Sequence, residues 1–83
     1  MFPFIQSTLI LPPLFDEEGN EIKKQENVKS LINLEDIHTM CNYPCEIGTA
    51  LSIIYKTIDG NFLYQDNFLR IHQELLKFHN WKK

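Results

Sequence analysis

The sequence predicts an α+β domain: a strongly bent antiparallel β-sheet, closed at most into a small, partly open barrel, with one C-terminal α-helix against it. Three observations carry this. Residues 50–65 read as two β-prone runs either side of Asp59-Gly60, the dipeptide that favours a two-residue hairpin turn because both of its positions need positive φ. Residues 66–79 then change period, with Phe68, Ile71, Leu75 and Phe78 recurring at helical spacing. Finally, 83 residues make a single domain, spanning 1–83, whose core is small and whose stability margin is thin.

With Asp59 and Gly60 as the turn, Ile58 faces Asn61, Thr57 faces Phe62 and Tyr55 faces Tyr64. One face of the ribbon then carries Leu51, Ile53, Tyr55, Phe62 and Tyr64, and the other a mixed set of Ser52, Ile54, Lys56, Leu63 and Gln65. Asp66 is the expected N-cap of the helix. Upstream, residues 2–11 alternate loosely, with Ile5, Leu9 and Leu11 on one side. They read as an edge strand, where Pro3 costs no ladder bond, ended by Pro12-Pro13. Residues 16–20 form a polar turn with Gly19 or Asn20 free to be left-handed. Glu21 to Lys29 is charged and reads as an exposed strand or loop anchored by Ile22 and Val28. Residues 30–34 are a short strand, Glu35-Asp36 a bend and residues 37–43 another strand. The rival reading is a helix from Asn33 to Cys41, capped by Asn33 with two acids in its first turn. Residues 44–49 are the loop into the hairpin. A mainly helical fold, with helices at 34–42, 45–57 and 66–80, is the runner-up, because Ile47, Leu51, Ile54 and Ile58 also fit helical spacing.

The run from Leu31 to Ile37 (Leu-Ile-Asn-Leu-Glu-Asp-Ile), a second strand, a strand ending in Asp59-Gly60, a further strand and a helix together resemble the first half of LytTR-type DNA-binding domains. The pattern is also similar to small β-meander-plus-helix proteins of bacterial flagellar operons. The resemblance spans residues 30–79 and rests on the Leu-Glu-Asp-Ile bend and the Asp-Gly turn. It implies the fold above and, as an alternative function, a nucleic-acid-binding transcriptional regulator.

Composition narrows the function classes. The net charge is −3, and the acids cluster early, at Asp16, Glu17, Glu18, Glu21, Glu26, Glu35 and Asp36. The later half leans basic through Lys56, Arg70, Lys77, Lys82 and Lys83. This is not the strongly basic stripe of a nucleic-acid binder. No run reaches the ~18 apolar residues of a membrane span, and residues 1–14 lack the basic start of a signal peptide. Cys41 and Cys45 are therefore expected as free thiols in a reducing cytoplasm. One Ala, one Arg and one Val beside abundant Ile, Asn and Lys is the bias of an AT-rich genome, bacterial or phage.

Each chemical constellation has a blander rival. His38, Cys41 and Cys45, completed by His72 or His79, have admissible zinc-ligand spacing. A second close pair of ligands is missing, so two small thiols is the preferred reading and no metal or other cofactor is expected. Ser7, Ser30 and Ser52 lack a nucleophile elbow, Glu17-Glu18 reads as solvated charge, and Gly19, Gly48 and Gly60 are too scattered for a phosphate loop; no catalytic residue is assigned. Lys56, Arg70, Lys77, Lys82 and Lys83 with Tyr55, Tyr64 and Trp81 are the only candidate nucleic-acid contacts, and membrane attachment through residues 1–15 ranks below them. The favoured function is a small non-catalytic protein-binding module, an adaptor or inhibitor, whose partner is another protein or a second copy in a homodimer. Its face is Leu69, His72, Leu76 and His79, which widen the apolar arc of the helix beyond the stripe that one-sided packing needs. The alternative cover for Leu69 and Leu76 is Phe2 and Phe4 of the same chain.

Overall fold

A computed structural model describes residues 2–45 and 48–82, with the backbone alone for residues 44, 45, 48, 49 and 82. The elements run β1 (Phe4–Leu11), β2 (Leu14–Phe15), β3 (Glu21–Lys23), β4 (Glu26–Asn33), a 3-10 turn (Leu34–Asp36), β5 (Ile37–Cys45), β6 (Gly48–Tyr55), β7 (Asn61–Tyr64) and α1 (Phe68–Lys82). Five strands form one bent antiparallel sheet in the order β4-β1-β7-β6-β5, open rather than closed into a barrel, while β2 and β3 pair separately. The α+β class stands, and the helical alternatives for 33–41, 34–42 and 45–57 do not. Their one true element is the first turn: Asn33 caps the 3-10 turn by accepting from the Glu35 N–H at 3.1 Å.

The two sheets share a single ribbon. Leu11 faces Glu26 at the end of the β1–β4 ladder, and continuing that register places Leu14 opposite Lys23, as observed. Pro12 and Pro13 interrupt the hydrogen bonds because neither has an N–H to donate. The long ribbon turns at residues 16–20, where Asp16 Oδ1 accepts from the N–H groups of Glu18 and Asn20 and Gly19 takes φ 87°.

Residues 2–11 are not an edge strand: β1 lies between β4 and β7. Pro3 precedes the strand, and its carbonyl accepts from the Leu34 N–H at 2.8 Å. The expected loop at 44–49 is also shorter than predicted, since pairing continues to Cys45 opposite Gly48; Glu46 and Ile47 lie outside the described residues.

The central hairpin has the predicted strands and a different register. Leu51, not Tyr55, faces Tyr64, and Ile54 faces Asn61, leaving residues 56–60 as a longer connection. The cause is competition for the end of β6. The Lys56 N–H donates to the Asp36 carbonyl at 2.8 Å, and Thr57 Oγ1 donates to Asp36 Oδ2 at 2.6 Å, so this segment is held by the 3-10 turn rather than by β7. Gly60 has φ 108°, whereas Asp59 is not left-handed. A displacement of four residues is even, so every side chain keeps its predicted face.

That face is the core. Ile32, Leu34, Leu51, Ile53, Tyr55 and Tyr64 pack against Ile71 and Phe78 of α1, flanked by Ile5, Leu9, Met40, Phe62, Phe68 and Leu75. The helix stripe is as predicted. The N-cap is Asn67 instead of Asp66, because Asn67 Oδ1 accepts from the Leu69 N–H at 2.8 Å and its carbonyl from the Ile71 N–H at 3.2 Å.

Ile71 is fully buried, so Ile71→Ala should cost about 2–5 kcal/mol in urea unfolding, the range for large core truncations. The partly buried Leu75 should cost less on the same change. Gly60→Val should cost at least ~1 kcal/mol; because nothing lies within 4 Å of the added Cβ, the loss comes from the left-handed backbone and not from a clash at Cβ.

Candidate functional site

On a helix advancing about 100° per residue, the side chains of α1 fall into parallel lines. Ile71 and Phe78 point into the core. His72 and His79 form the next line, and Leu69 and Leu76 the one beyond. Arg70, Glu74 and Lys77 occupy the opposite flank. Leu69 is 65% exposed and Leu76 49%, against 0% for Ile71. The alternative cover by Phe2 and Phe4 is absent, since those rings are themselves exposed and contact each other at 5.8 Å. His72 is half-buried and stacks on Phe68 at 5.4 Å and 18°, while exposed His79 stands edge-on to Phe78 at 6.1 Å. The structure thus brings the four predicted residues onto one side of the helix, while Trp81, stacked on Phe78 at 6.2 Å, falls on the Arg70 flank.

The rotation of the helix, which decides what is exposed, is set at its first turn. Asp66 accepts from Ser7 Oγ at 2.5 Å, from Arg70 Nε at 2.9 Å and from Arg70 NH2 at 2.6 Å. The same Arg70 nitrogen donates to the Gln6 carbonyl at 3.1 Å. This knot ties the Arg70 flank to β1, which turns Leu69 and Leu76 away from β1, and Leu69 comes to lie beside Asn42 of β5. A groove of about 470 Å3 there is lined by Asn42 of β5 together with Phe68 and Leu69 of α1 and the residues 65–67 before it. Burial pushes the Asp66 carboxyl up, but the Arg70 guanidinium, the Ser7 hydroxyl and the Asn67 N–H outweigh it and hold it down at about 2.

A second depression of about 310 Å3 lies over β4 and the 3-10 turn, with Ser30, Asn33, Asp36 and Thr57 on its rim and Tyr55 and Tyr64 at its base. The two phenols share a hydrogen bond of 2.5 Å. Burial raises both above the ordinary phenol range, so neither is a phenolate base at neutral pH. Their bond joins β6 to β7 and is structural. A further apolar surface, Leu14, Phe15 and Ile22, sits exposed on the far end of the long ribbon.

The other candidates are not assembled. Among the described residues no group of three or more His, Cys, Asp or Glu converges. His38 and Cys41 are exposed on β5, Cys41 is a free thiol, and the side chain of Cys45 lies outside the described residues. Arg70 is paired with Asp66 and Lys77 with Glu74 at 3.5 Å; the Lys82 side chain and Lys83 lie outside the described residues. No helix is long and apolar enough to cross a membrane. Sequence reasoning missed the knot. The Asp66/Arg70 spacing of four was a legible signal, but Ser7 lies 59 residues away and carries none.

Comparison with protein-family models, with curated proteins and with solved structures finds no match.

A carboxyl held below its ordinary ~3.9 contributes stability above that pH and loses it as the pH falls toward the folded value. With Asp66 at about 2, acid titration should remove about 1–2 kcal/mol between roughly pH 4 and pH 2. Asp66→Asn should be less stable at neutral pH and should flatten that window in pH-dependent thermal unfolding.

Proposed function

We propose that this chain is a small non-catalytic protein-binding module, an adaptor or inhibitor that works by occupying a surface of another protein molecule. The contact face is the outer apolar line of α1, Leu69 and Leu76, with His72 and His79 beside it. The observation that carries the reading is the exposure of two leucines on an otherwise correctly buried amphipathic helix: 65% and 49%, side by side. A single exposed Leu needs no explanation, whereas contiguous apolar side chains rimmed by polar ones mark interaction surfaces. The chemistry of the polar clusters agrees. Ser7 and Asp66 are committed to holding the helix on β1, and the buried tyrosines to each other.

Affinity capture from the native cell tests this. Tagged wild type should retain a protein that Leu69→Glu and Leu76→Glu lose by at least ~10-fold, the effect of removing a contact worth more than ~1.4 kcal/mol. Both variants should keep the circular dichroism and melting of the parent, because exposed positions shift stability by only about 0.5 kcal/mol. Equal retention by parent and variants overturns the assignment of the face.

A further inference from the structure

We propose that the surface that engages this face is a second copy of the chain. β5 would pair with β5 in antiparallel fashion about a two-fold axis, and the Leu69–Leu76 flanks of the two helices would meet above the seam. This rests on the protein-binding reading above and names its partner.

The first ground is the character of the two free sheet edges. The sheet ends in β4 on one side and β5 on the other. Strands left open to solvent are normally guarded by charge, lysine above all, because an unguarded row of N–H and C=O groups recruits another strand. β4 carries Glu26 and Lys29. β5 runs nine residues, Ile-His-Thr-Met-Cys-Asn-Tyr-Pro-Cys, without a Lys, Arg, Asp or Glu; its guards are confined to its ends, a register break between Ile37 and Thr39 and Pro44, which leaves Thr39–Tyr43 open. Thr39, Cys41, Asn42 and Tyr43 along it are exposed.

The second ground is that this edge and the leucine flank are one surface. Asn42 and Leu69 line the same groove, and α1 packs closest to β5 and the 3-10 turn. A two-fold axis normal to the sheet keeps both helices on the same side. Paired strands sit about 4.8 Å apart, so the axis falls about 2.4 Å beyond β5. A helix axis above the line between β5 and β6, both of which α1 packs against, would lie about 4.8 Å from that operator, so the two helices approach to roughly the 8–10 Å of packed helices, with the Leu69–Leu76 flanks facing each other. A single operator covers both features.

Charge and size agree. In an isologous contact, residues near the axis meet their own copies, and like charges there repel. Neither the middle of β5 nor the Leu69–Leu76 line holds a carboxylate, guanidinium or ammonium. Nine residues at about 3.3 Å each give a seam of roughly 30 Å, and two layers about 10 Å deep give a cross-section of roughly 600 Å2. That approaches the ~800 Å2 per partner of a standard stable interface. Pairing consumes both β5 edges of the five-stranded sheets and leaves their charged β4 edges, so the five-stranded sheets pair no further.

Sedimentation of the wild type should give a dimer at about 100 μM that dissociates on dilution. Thr39→Lys with Tyr43→Lys alters the exposed outer face of β5 without touching α1, and should weaken the dimer at least ~10-fold. Leu76→Glu should weaken it similarly from the helix side. Amide hydrogen exchange provides a readout on unmodified protein: β5 amides should gain protection as concentration rises, while β4 amides do not. A wild type that stays monomeric, a dimer indifferent to the lysine pair, or protection gained at β4 instead of β5 overturns the proposal. If the monomer nevertheless captures a different protein through Leu76, the face stands and only its occupant changes.

Discussion

The sheet is held together by four residues. β1 with β4 forms one long ribbon and β5 with β6 another, and only β7 joins them. Tyr64 faces Leu9 across one seam and Leu51 across the other. On the β1 side the ladder is only Leu9–Tyr64 and Ile10–Leu63, extended by the Gln65 N–H donating to the Thr8 carbonyl. So short a ladder would slip or part without side-chain reinforcement, which Asp66 supplies on the β1 side while Tyr64 secures β7 to β6. The Tyr64 hydroxyl meets Tyr55 on β6, and two residues later Asp66 meets Ser7 on β1.

The helix completes the clamp. Ile71 and Phe78 rest on residues from both ribbons, Ile32 on one side and Leu51 and Ile53 on the other. Burial of these side chains, each contributing roughly 1.5–3 kcal/mol, resists the parting of β7 from β1. The outline follows: ribbons that run well past the region the helix covers, and a molecule 53 Å long but 19 Å thick. Such a shape leaves more apolar surface uncovered than a sphere of the same mass, which is why leucines remain exposed beside a packed core.

The Asp66 knot links this architecture to the surface it displays. A helix with apolar residues over half its circumference could seat more than one line of side chains on the sheet. Anchoring Arg70 to both Asp66 and the Gln6 carbonyl selects one rotation. The histidines become the shoulder of the core and the leucines the outer face. A charge pair confined to the first turn thus decides which residues a partner meets.

By itself the sequence determined the fold class, the helix stripe and the faces of the central strands. Those depend on periodicity, and periodicity is local: an even slip between β6 and β7 leaves every residue on its predicted side. The bend at Glu35-Asp36 and the left-handed Gly60 were legible for the same reason, since each is a backbone preference of neighbouring residues. Tertiary structure alone decided the rest. It placed β1 inside the sheet, because Tyr64 and Leu9 meet across a separation that no local signal records. It moved the hairpin register, because Asp36 competes for Lys56 and Thr57 against the turn that Asp59-Gly60 would prefer. It left Leu69 and Leu76 in solvent beside β5, because the rotation of a helix depends on what the opposite flank can bind, and that flank found Gln6 and Ser7.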